Sequence, residues 1–226
     1  MDKRKKYIMV LDTETAPIEQ TREVSGNNAL VYDIGFLVTD KSGKVYTRGS
    51  YILGDIFFKE NEKMNSAYYN DKIPAYLKEI ENGDRIVVTA ERVAEIIREV
   101  IQEYNVTVVS AHNAIFDFLA LKKTQEYLRL KNSIVPYIEW WDTLKMSKVI
   151  ADQKMYQEFC RKNGYMTKHK TPRVRQSAEI LYKYISHDND FIESHTALED
   201  CEIEKEILIK CLRQHKKMEK RLFKGK

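Results

Sequence analysis

An apolar segment near the start of the chain leads directly into two carboxylates. Tyr7 to Leu11 is apolar throughout, and Asp12-Thr13-Glu14 follows without a break. Such a short run is typical of a strand covered on both faces, so we expect a central strand over residues 7–12. Because successive side chains alternate between the faces of a strand, Asp12 and Glu14 should project from the same side. Two carboxylates converging at the end of a buried strand are costly unless a cation, usually a divalent metal, compensates them.

The composition is that of a globular protein. Of the 226 residues 43% are hydrophobic and 32% are charged, and 8 glycines and 4 prolines are too few for a collagen-like or low-complexity chain. The apolar run is far shorter than the roughly 20 residues that span a membrane, and no cleavage site of small residues follows it. Three cysteines without CxxC spacing indicate neither a disulfide framework nor a zinc knuckle. We therefore expect a soluble, cytoplasmic protein that does not contact membranes.

Basic residues are concentrated at both ends of the chain. The net charge is +4 in total, with +3 on residues 1–6 and +5 on residues 214–226, so residues 7–213 carry −4. Basic ends either neutralise the phosphates of a nucleic acid or are simply solvated. We divide the chain into a basic N-terminal extension (1–6), a main domain (7–213) and a basic C-terminal tail (214–226).

The remaining pattern predicts an α/β fold around a mixed sheet. Strands that come first, followed by strands alternating with helices, favour this class. The expected strands cover 32–39, 45–53, 106–110 and 138–141, the first two forming a hairpin, and the expected helices cover 93–104, 116–123, 144–146, 176–185 and 198–212. Residues 54–90 have a weaker pattern, and we expect a long, partly helical excursion that shapes a substrate cleft or forms a dimer contact.

A second acidic motif follows the strand predicted over residues 106–110. If Asn113 is the N-cap of the next helix, Asp117 is its fourth residue, near the sheet edge at which Asp12 emerges. A third carboxylate can then join the first two. Taken alone, an acid in the first turn of a helix is equally well explained by the helix dipole.

A third motif starts the last predicted helix. Thr196 and Glu199 have the spacing of a capping box, which leaves His195 just outside the helix. His195 and Asp200 then occupy the two positions that pack against each other in a hydrophobic staple, so an imidazole and a carboxylate lie side by side. Alone, this motif is also compatible with a surface histidine beside a helix-stabilising acid.

Taken together, the three motifs predict a site for two metal ions. Four clustered carboxylates repel one another until cations bind, which would also explain the acidic main domain. The arrangement fits two-metal hydrolysis.

The three motifs also resemble those of a known family. VLDTETA at 10–16, SAHNAIFDFLAL at 110–121 and HTALEDCEIEKEIL at 195–208 are similar, in order, to the exonuclease motifs of the DEDD exonucleases of the ribonuclease H-like superfamily. The match covers about residues 7–212. The five-residue separation of His195 and Asp200 indicates the DnaQ-like branch with a catalytic histidine (DEDDh), since the tyrosine branch has a Tyr four residues before the last Asp. The strings ESHTALED and AYYNDKIP resemble small stand-alone exonucleases of bacteria and phages.

The resemblance implies a ribonuclease H-like mixed β-sheet flanked by α-helices. It also implies a 3′–5′ exonuclease that uses two Mg²⁺ or Mn²⁺ ions and releases nucleoside 5′-monophosphates. Asp12, Glu14 and Asp200 would hold one ion, Asp12 would be shared with the second, and Asp117 would support the second through water. His195 would be the general base. Residues beside the motifs would line the pocket for the terminal nucleotide; these are Thr15, Ala16 and Asn113.

Several alternatives stay open from the sequence. Single-stranded DNA is the expected substrate, but an oligoribonuclease-like RNA-trimming activity or a catalytically silent nucleic-acid-binding scaffold is also compatible with the residues. A polymerase or repair protein could act as a partner in trans. Trp140 and Trp141 face opposite ways in a strand, so at most one could stack on bases. A basic group could contact phosphates; it comprises Lys168, Lys170, Arg173 and Arg175.

Overall fold

The structure is a computed structural model that describes residues 6–19 and 25–223. The predicted basic extension lies outside these residues except for Lys6, as do Lys224 and Lys226 of the tail. The strands are β1 (Tyr7–Pro17), β2 (Ala29–Asp40), β3 (Val45–Leu53), β4 (Ile86–Val88), β5 (Val108–Ala111) and β6 (Glu139–Asp142). The helices are α1 (Gly54–Phe57), α2 (Asn61–Asn65), α3 (Ile73–Glu81), α4 (Ala90–Glu103), α5 (Ala114–Tyr127), α6 (Thr143–Met146), α7 (Lys148–Ala151), α8 (Lys154–Lys162), α9 (Ala178–Ser186) and α10 (Ala197–Leu212).

The described strands form one mixed sheet in the order β4-β3-β2-β1-β5-β6. β1, β2 and β3 pair antiparallel, whereas β5 and β6 continue from β1 in parallel, and β4 is parallel to β3. Helices connect the parallel strands, as parallel pairing requires. The predicted α/β class with a mixed sheet flanked by helices is confirmed.

The alternating side chains of β1 divide the core between the two faces of the sheet. Met9 and Leu11 pack with residues of α4 and α5, whereas Ile8 and Val10 pack with residues of α8, α9 and α10. All four are fully buried. The central strand is therefore covered on both faces, as its continuous apolar run indicates.

β1 extends further than the sequence indicates. The strand continues beyond Asp12 to Pro17, because β2 pairs with it along its whole length, with an irregularity between Glu14 and Thr15. The two carboxylates therefore lie within a strand and not at its end. The length of the pairing partner, which one strand's own pattern does not reveal, accounts for the difference.

The excursion over residues 54–90 consists of short elements whose side chains pack against residues of β1, β2 and β3. It contains α1, α2, α3 and β4, and its buried side chains Ile56, Met64 and Tyr76 form a third apolar cluster with Leu30 and Tyr32 of β2. The expectation of a partly helical excursion is met, while the three β-branched residues of β4 are too few for their own pattern to identify a strand.

Residues near the C-terminus lie beside β6. Trp141 forms an isolated antiparallel bridge with Arg221, Asp142 N–H donates to the Lys220 carbonyl (2.8 Å), and Leu222 N–H donates to the Trp140 carbonyl (2.9 Å). The described part of the predicted tail thus contacts the sheet. Among the described residues, no helix is long and apolar enough to cross a membrane.

Candidate active site

Three acidic side chains from two distant parts of the chain meet on one face of the sheet. Asp12 and Glu14 continue the Ile8 and Val10 side of β1, and Asp200 lies on the helix that packs there, α10. One ligand oxygen from each of the three carboxylates lies within 4.8 Å of the other two. Glu14 and Asp200 are buried and Asp12 is half-buried. The structure therefore brings together three of the four acids predicted to bind metal.

A glycine lets the start of α10 approach the sheet. Gly35 of β2 is the register partner of Asp12, and a β-carbon at Gly35 would lie 2.3 Å from the carbonyl carbon of Ala197. No side chain fits into that space, so the helix backbone touches the strand directly. This contact holds the first turns of α10 next to β1, where Asp200 reaches the two β1 carboxylates.

A buried carboxylate ties the same helix start to the excursion. Asp33, the register partner of Glu14, is fully buried, and its Oδ2 accepts hydrogen bonds from the Tyr76 hydroxyl (2.8 Å), Arg85 Nη1 (3.2 Å) and Ala197 N–H (3.3 Å). Burial raises the pKa of Asp33, and Arg85 opposes the rise. The excursion, β2 and α10 are therefore joined through one side chain.

Asp117 approaches β1 from the other face. It is the fourth residue of α5, as predicted, and its Oδ1 accepts a hydrogen bond from the Thr13 hydroxyl (2.8 Å). Since Thr13 alternates with Asp12 and Glu14, a carboxylate bound to it lies across the strand from theirs. Asp117 contributes to the raised pKa of Asp12, but it lies outside the described groups whose ligand atoms are within 4.8 Å of one another.

A further buried acid, Glu204, lies one turn after Asp200 on α10. Its Oε1 accepts a hydrogen bond from His112 N–H (3.0 Å), and its charge is the largest electrostatic contribution, after burial, to the raised pKa of Asp12. Glu204 was not among the predicted site residues. The signal for it was present, because residues four apart lie on the same side of a helix.

The carboxyl groups of the site have raised pKa values because they are buried and repel one another. Burial, followed by the charge of Asp200, raises the pKa of Glu14 to about 9. Burial, followed by the charge of Glu193, raises the pKa of Asp200 to about 8. The pKa values of Asp12 and Glu204 are also raised well above the ordinary carboxyl range, chiefly by burial. Such clusters of perturbed carboxyls are typical of functional sites.

The cluster fits divalent cations. Within this cluster, two buried carboxylate oxygens, Asp200 Oδ1 and Glu204 Oε2, have no hydrogen-bond partner. Buried polar atoms are nearly always satisfied, and oxygen-rich, acidic donor sets suit Mg²⁺ and Mn²⁺. Asp12, Glu14 and Asp200 are the residues placed to hold such an ion.

His195 lies immediately before α10, beside Asp200. A ligand nitrogen of His195 is within 4.8 Å of oxygens of Asp200 and Glu193, and its Nδ1 is 3.6 Å from Glu193 Oε2. Thr196 is the N-cap residue, but its hydroxyl donates to the Glu199 carboxylate and accepts no hydrogen bond from a backbone N–H, so the predicted capping box is not formed. The side-by-side placement of imidazole and carboxylate that the motif predicts is present. Burial, followed by the charge of Lys72, lowers the pKa of His195 and so favours the neutral imidazole.

The residues predicted to line a nucleotide pocket are placed differently from one another. Thr15 is half-buried on β1, whereas Ala16 is fully buried within the apolar cluster of β2 and the excursion. The methyl group of Ala16 therefore faces the core. Asn113 is exposed with a left-handed backbone (φ 63°), and its N–H, not its side chain, is engaged, donating to Asp142 Oδ1 (3.2 Å).

Other residues in or near the motifs have structural surroundings. His112 has a hydrogen-bond partner at each ring nitrogen, Thr143 Oγ1 (3.0 Å) and the Gln176 carbonyl (2.8 Å), and so is held as part of the structure. Trp140 and Trp141 face opposite cores and are both buried, so neither is presented to a ligand. The four basic residues at 168–175 are exposed.

Comparison with known proteins gives structural matches only. No family model matches the chain, and no curated protein matches its sequence. The nuclease domain of 3′hExo, a DEDDh family member, bound to rAMP, matches with a TM-score of 0.61 and 12% identity over 98% of this chain and 100% of that chain. A structure on 3′-end specific recognition of histone mRNA stem-loop by 3′-exonuclease matches with a TM-score of 0.58 and 12% identity, over 96% of this chain and 66% of that one.

A further match is cell-death related nuclease 4 (CRN-4), with a TM-score of 0.54 and 10% identity over 95% of this chain and 66% of that chain. Sequence identities this low, with these TM-scores, indicate a shared fold but not a shared activity. The chain therefore has the ribonuclease H-like α/β fold of these exonucleases.

Proposed function

We propose that this protein is a divalent-metal-dependent 3′–5′ exonuclease that releases nucleoside 5′-monophosphates. The observation that carries the proposal is the meeting of Asp12, Glu14, Asp200 and His195, from opposite ends of the chain, on a fold shared with 3′-exonucleases. A silent scaffold domain would have no need of several buried, mutually repelling carboxylates, whose burial costs free energy. Hydrolysis is therefore favoured over binding alone.

The residues have distinct proposed roles in the hydrolysis of a phosphodiester. Asp12, Glu14 and Asp200 hold the cations, and Asp117 supports the second of two Mg²⁺ or Mn²⁺ ions. Divalent cations at this cluster supply Lewis-acid activation of water and neutralise charge on the phosphate. His195 accepts the proton of the attacking water, for which a neutral imidazole of lowered pKa is suited. The water oxygen bonds to phosphorus as the P–O3′ bond breaks, the 5′-monophosphate leaves, and O3′ takes up a proton to become the new 3′-hydroxyl of the shortened strand.

Single-stranded 3′ ends are the proposed substrate, with DNA as the first candidate. RNA is a second candidate, because one structural match was solved with rAMP and another concerns a histone mRNA stem-loop. The choice depends on how the site treats a 2′-hydroxyl. We place the protein in the cytoplasm, in keeping with its three free, buried cysteines. The proposed partner in trans is a polymerase or a repair protein.

The decisive experiment is digestion of 5′-labelled single-stranded DNA and matched RNA in Mg²⁺, Mn²⁺ or EDTA. Wild-type protein should give a ladder that shortens from the 3′ end and requires the metal. Asp12→Ala should abolish the ladder, and Asp188→Ala, which removes an exposed carboxylate that is not part of the acidic cluster, should leave it unchanged. Comparing the cleavage rates on DNA and on RNA shows which of the two sugars the site prefers.

Two results would contradict the proposal. One is full activity of Asp12→Ala, since the cluster would then have no part in the reaction. The other is the absence of cleavage of either nucleic acid by folded wild-type protein with any of the metals.

A further inference from the structure

The excursion places an aromatic ring on the proposed general base. The rings of Tyr69 and His195 are stacked, with centroids 4.3 Å apart and an angle of 16° between their planes. Tyr69 is half-buried, and burial raises the pKa of its phenol. The charges of Glu14, Glu193 and Asp200 add to this rise, so the phenol lies near the acidic cluster. A residue far from the three motifs in sequence thus belongs to the surroundings of the site.

Lys72 holds the backbone of the same histidine. Its Nζ donates to the carbonyl of Ser194 and lies 3.5 Å from the carbonyl of His195. The same ammonium lies 4.7 Å from the centre of the Tyr69 ring. Lys72 N–H donates to the Tyr69 carbonyl (3.0 Å), which closes a short turn, so both side chains reach His195 from the same turn.

The backbone of His195 requires such support. Its φ of 53° lies in the left-handed region, which costs an ordinary residue about 1 kcal/mol or more unless its surroundings hold it. The excursion holds the residues on both sides of Thr196. Tyr69 and Lys72 contact His195. Ala197 N–H donates to the Asp33 carboxylate, which Tyr76 and Arg85 of the excursion also bind. The excursion therefore braces the turn that presents the imidazole.

We propose that Tyr69 and Lys72 are positioning residues that act through His195, with the Tyr69 ring fixing the imidazole plane and Lys72 fixing the strained turn. This inference rests on the proposed function and deepens it. Neither residue needs to touch the substrate. Misplacing a catalytic group by about 1 Å can cost about a hundredfold in rate, so the loss of the brace should appear in kcat.

A double-mutant cycle tests the inference. Tyr69→Ala should lower kcat roughly tenfold to a hundredfold with KM changed less than about threefold, and Tyr69→Phe, which keeps the ring, should stay near wild type. In a His195→Ala background Tyr69→Ala should cause no further loss, because the group on which it acts is gone. Lys72→Met should follow the same pattern. Tyr137→Ala is the matched control, since Tyr137 is fully exposed.

The outcomes separate this inference from the proposed function. Unimpaired kcat in Tyr69→Ala, a loss that is additive with His195→Ala, or an effect confined to KM would overturn the brace while leaving the exonuclease intact. If Tyr69→Ala does not fold, as judged by thermal melting, Tyr69→Leu keeps the bulk without the aromatic ring and serves instead.

A second readout does not depend on activity. The imidazole NMR signals of wild-type protein, assigned by comparison with His195→Ala, should lose a ring-current shift in Tyr69→Leu and keep it in Tyr69→Phe. Unchanged His195 signals in Tyr69→Leu would rule out the stacking in solution. Failure of wild type to cleave any nucleic acid, with the ring-current shift present, would instead reject the proposed function alone.

Discussion

The buried carboxyl groups of the site link stability to pH. The pKa of Glu14 is raised from 4.5 to about 9 and that of Asp200 from 3.8 to about 8, in each case chiefly by burial. A carboxyl whose pKa is raised in the folded state favours folding below its unfolded pKa, and that contribution is lost as pH rises through the folded pKa. Metal-free protein should therefore lose stability between about pH 4 and pH 9. Urea unfolding in EDTA across this range measures it, and a flat profile would contradict the raised pKa values.

Replacing one carboxylate should reverse that loss. At pH 8 without metal, Asp200→Asn removes a charge from a repelling cluster and should raise the free energy of unfolding by roughly 1–2 kcal/mol. Wild-type protein should gain thermal stability when Mg²⁺ or Mn²⁺ is added, more at pH 8 than at pH 6, and Asp200→Asn should lose most of that gain. Differential scanning calorimetry with and without metal gives both quantities. An equal metal response in the two proteins would remove Asp200 from the metal site.

His195 should affect rate more than affinity. As a proposed general base, its replacement in His195→Ala is expected to lower kcat by roughly a hundredfold to ten-thousandfold while KM changes little. Steady-state kinetics on a single-stranded oligonucleotide measures both constants, with His187→Ala, on an exposed residue after α9, as the control. A rise in KM at constant kcat would indicate that His195 binds substrate and does no chemistry.

At the scale of elements, the contact between β2 and α10 fixes the site. Gly35→Ala would place a methyl group 2.3 Å from the backbone of Ala197, so the helix must shift. We expect a destabilisation of at least about 2 kcal/mol and a loss of hydrolysis, because Asp200 moves with the helix. Gly164→Ala, where a β-carbon meets nothing within 4 Å but φ is +75°, should cost only about 1 kcal/mol and keep activity. Chemical denaturation and the ladder assay compare the two.

Elements with a strong local signal were predicted and those held by tertiary contacts were not. The continuous apolar residues at the start of β1 predicted a central strand, and the apolar residues at helical spacing over 93–104 predicted a helix. The structure has β1 and α4 at these positions. The continuation of β1 to Pro17 depends on pairing with β2, and β4 depends on pairing with β3. Such pairings join residues far apart in sequence, and the pattern of one segment does not contain them.

The whole molecule carries a basic cavity apart from the acidic site. Its volume is about 890 Å³, and it lies between α6, α7, α8, the segment after α8 and the C-terminal segment. Its cationic lining residues outnumber the two acidic ones, Asp152 and Glu219; they are Lys145, Lys148, Arg161, Arg173 and Lys217. Gln176, which also lines it, bonds through its carbonyl to His112, whose N–H binds Glu204. The cavity is therefore connected to the site by two residues.

The cations of this cavity should matter for long substrates if the protein binds nucleic acid. Lys148→Gln combined with Arg173→Gln is expected to weaken binding of a long oligonucleotide and to flatten its dependence on log salt by about 1.4, since each of the two lost phosphate contacts contributes about 0.7 on a single strand. Cleavage of a dinucleotide should not change. Fluorescence anisotropy at several salt concentrations measures the slope, with Lys122→Gln and Lys123→Gln on α5 as the control pair. An unchanged slope would mean that the cations of the cavity do not contact phosphates and are simply solvated.

The assembled site could be predicted from the sequence only in part. The three motifs singled out Asp12, Glu14, Asp117, His195 and Asp200 from local patterns, although Asp12 and Glu14 lie within β1 and not at its end. Tyr69 and Lys72 lie in a segment of weak pattern, and only the packing of the excursion against β2 and α10 brings them to His195. The place of Asp117 across the strand from Asp12 likewise follows from its hydrogen bond to Thr13.

The pairing of residues 220–222 with β6 has a consequence for solubility. An outermost strand with free N–H and C=O groups is a template on which other chains can add, and aggregation begins at such strands. Here Asp142 N–H and the Trp140 carbonyl are engaged by the chain's own C-terminal segment, and two lysines, Lys6 and Lys220, lie over the Trp141 ring. Lys6 and residues 220–222 therefore cover this edge of the sheet, and we expect a version of this protein trimmed after α10 to leave the β6 edge unpaired and to aggregate more readily.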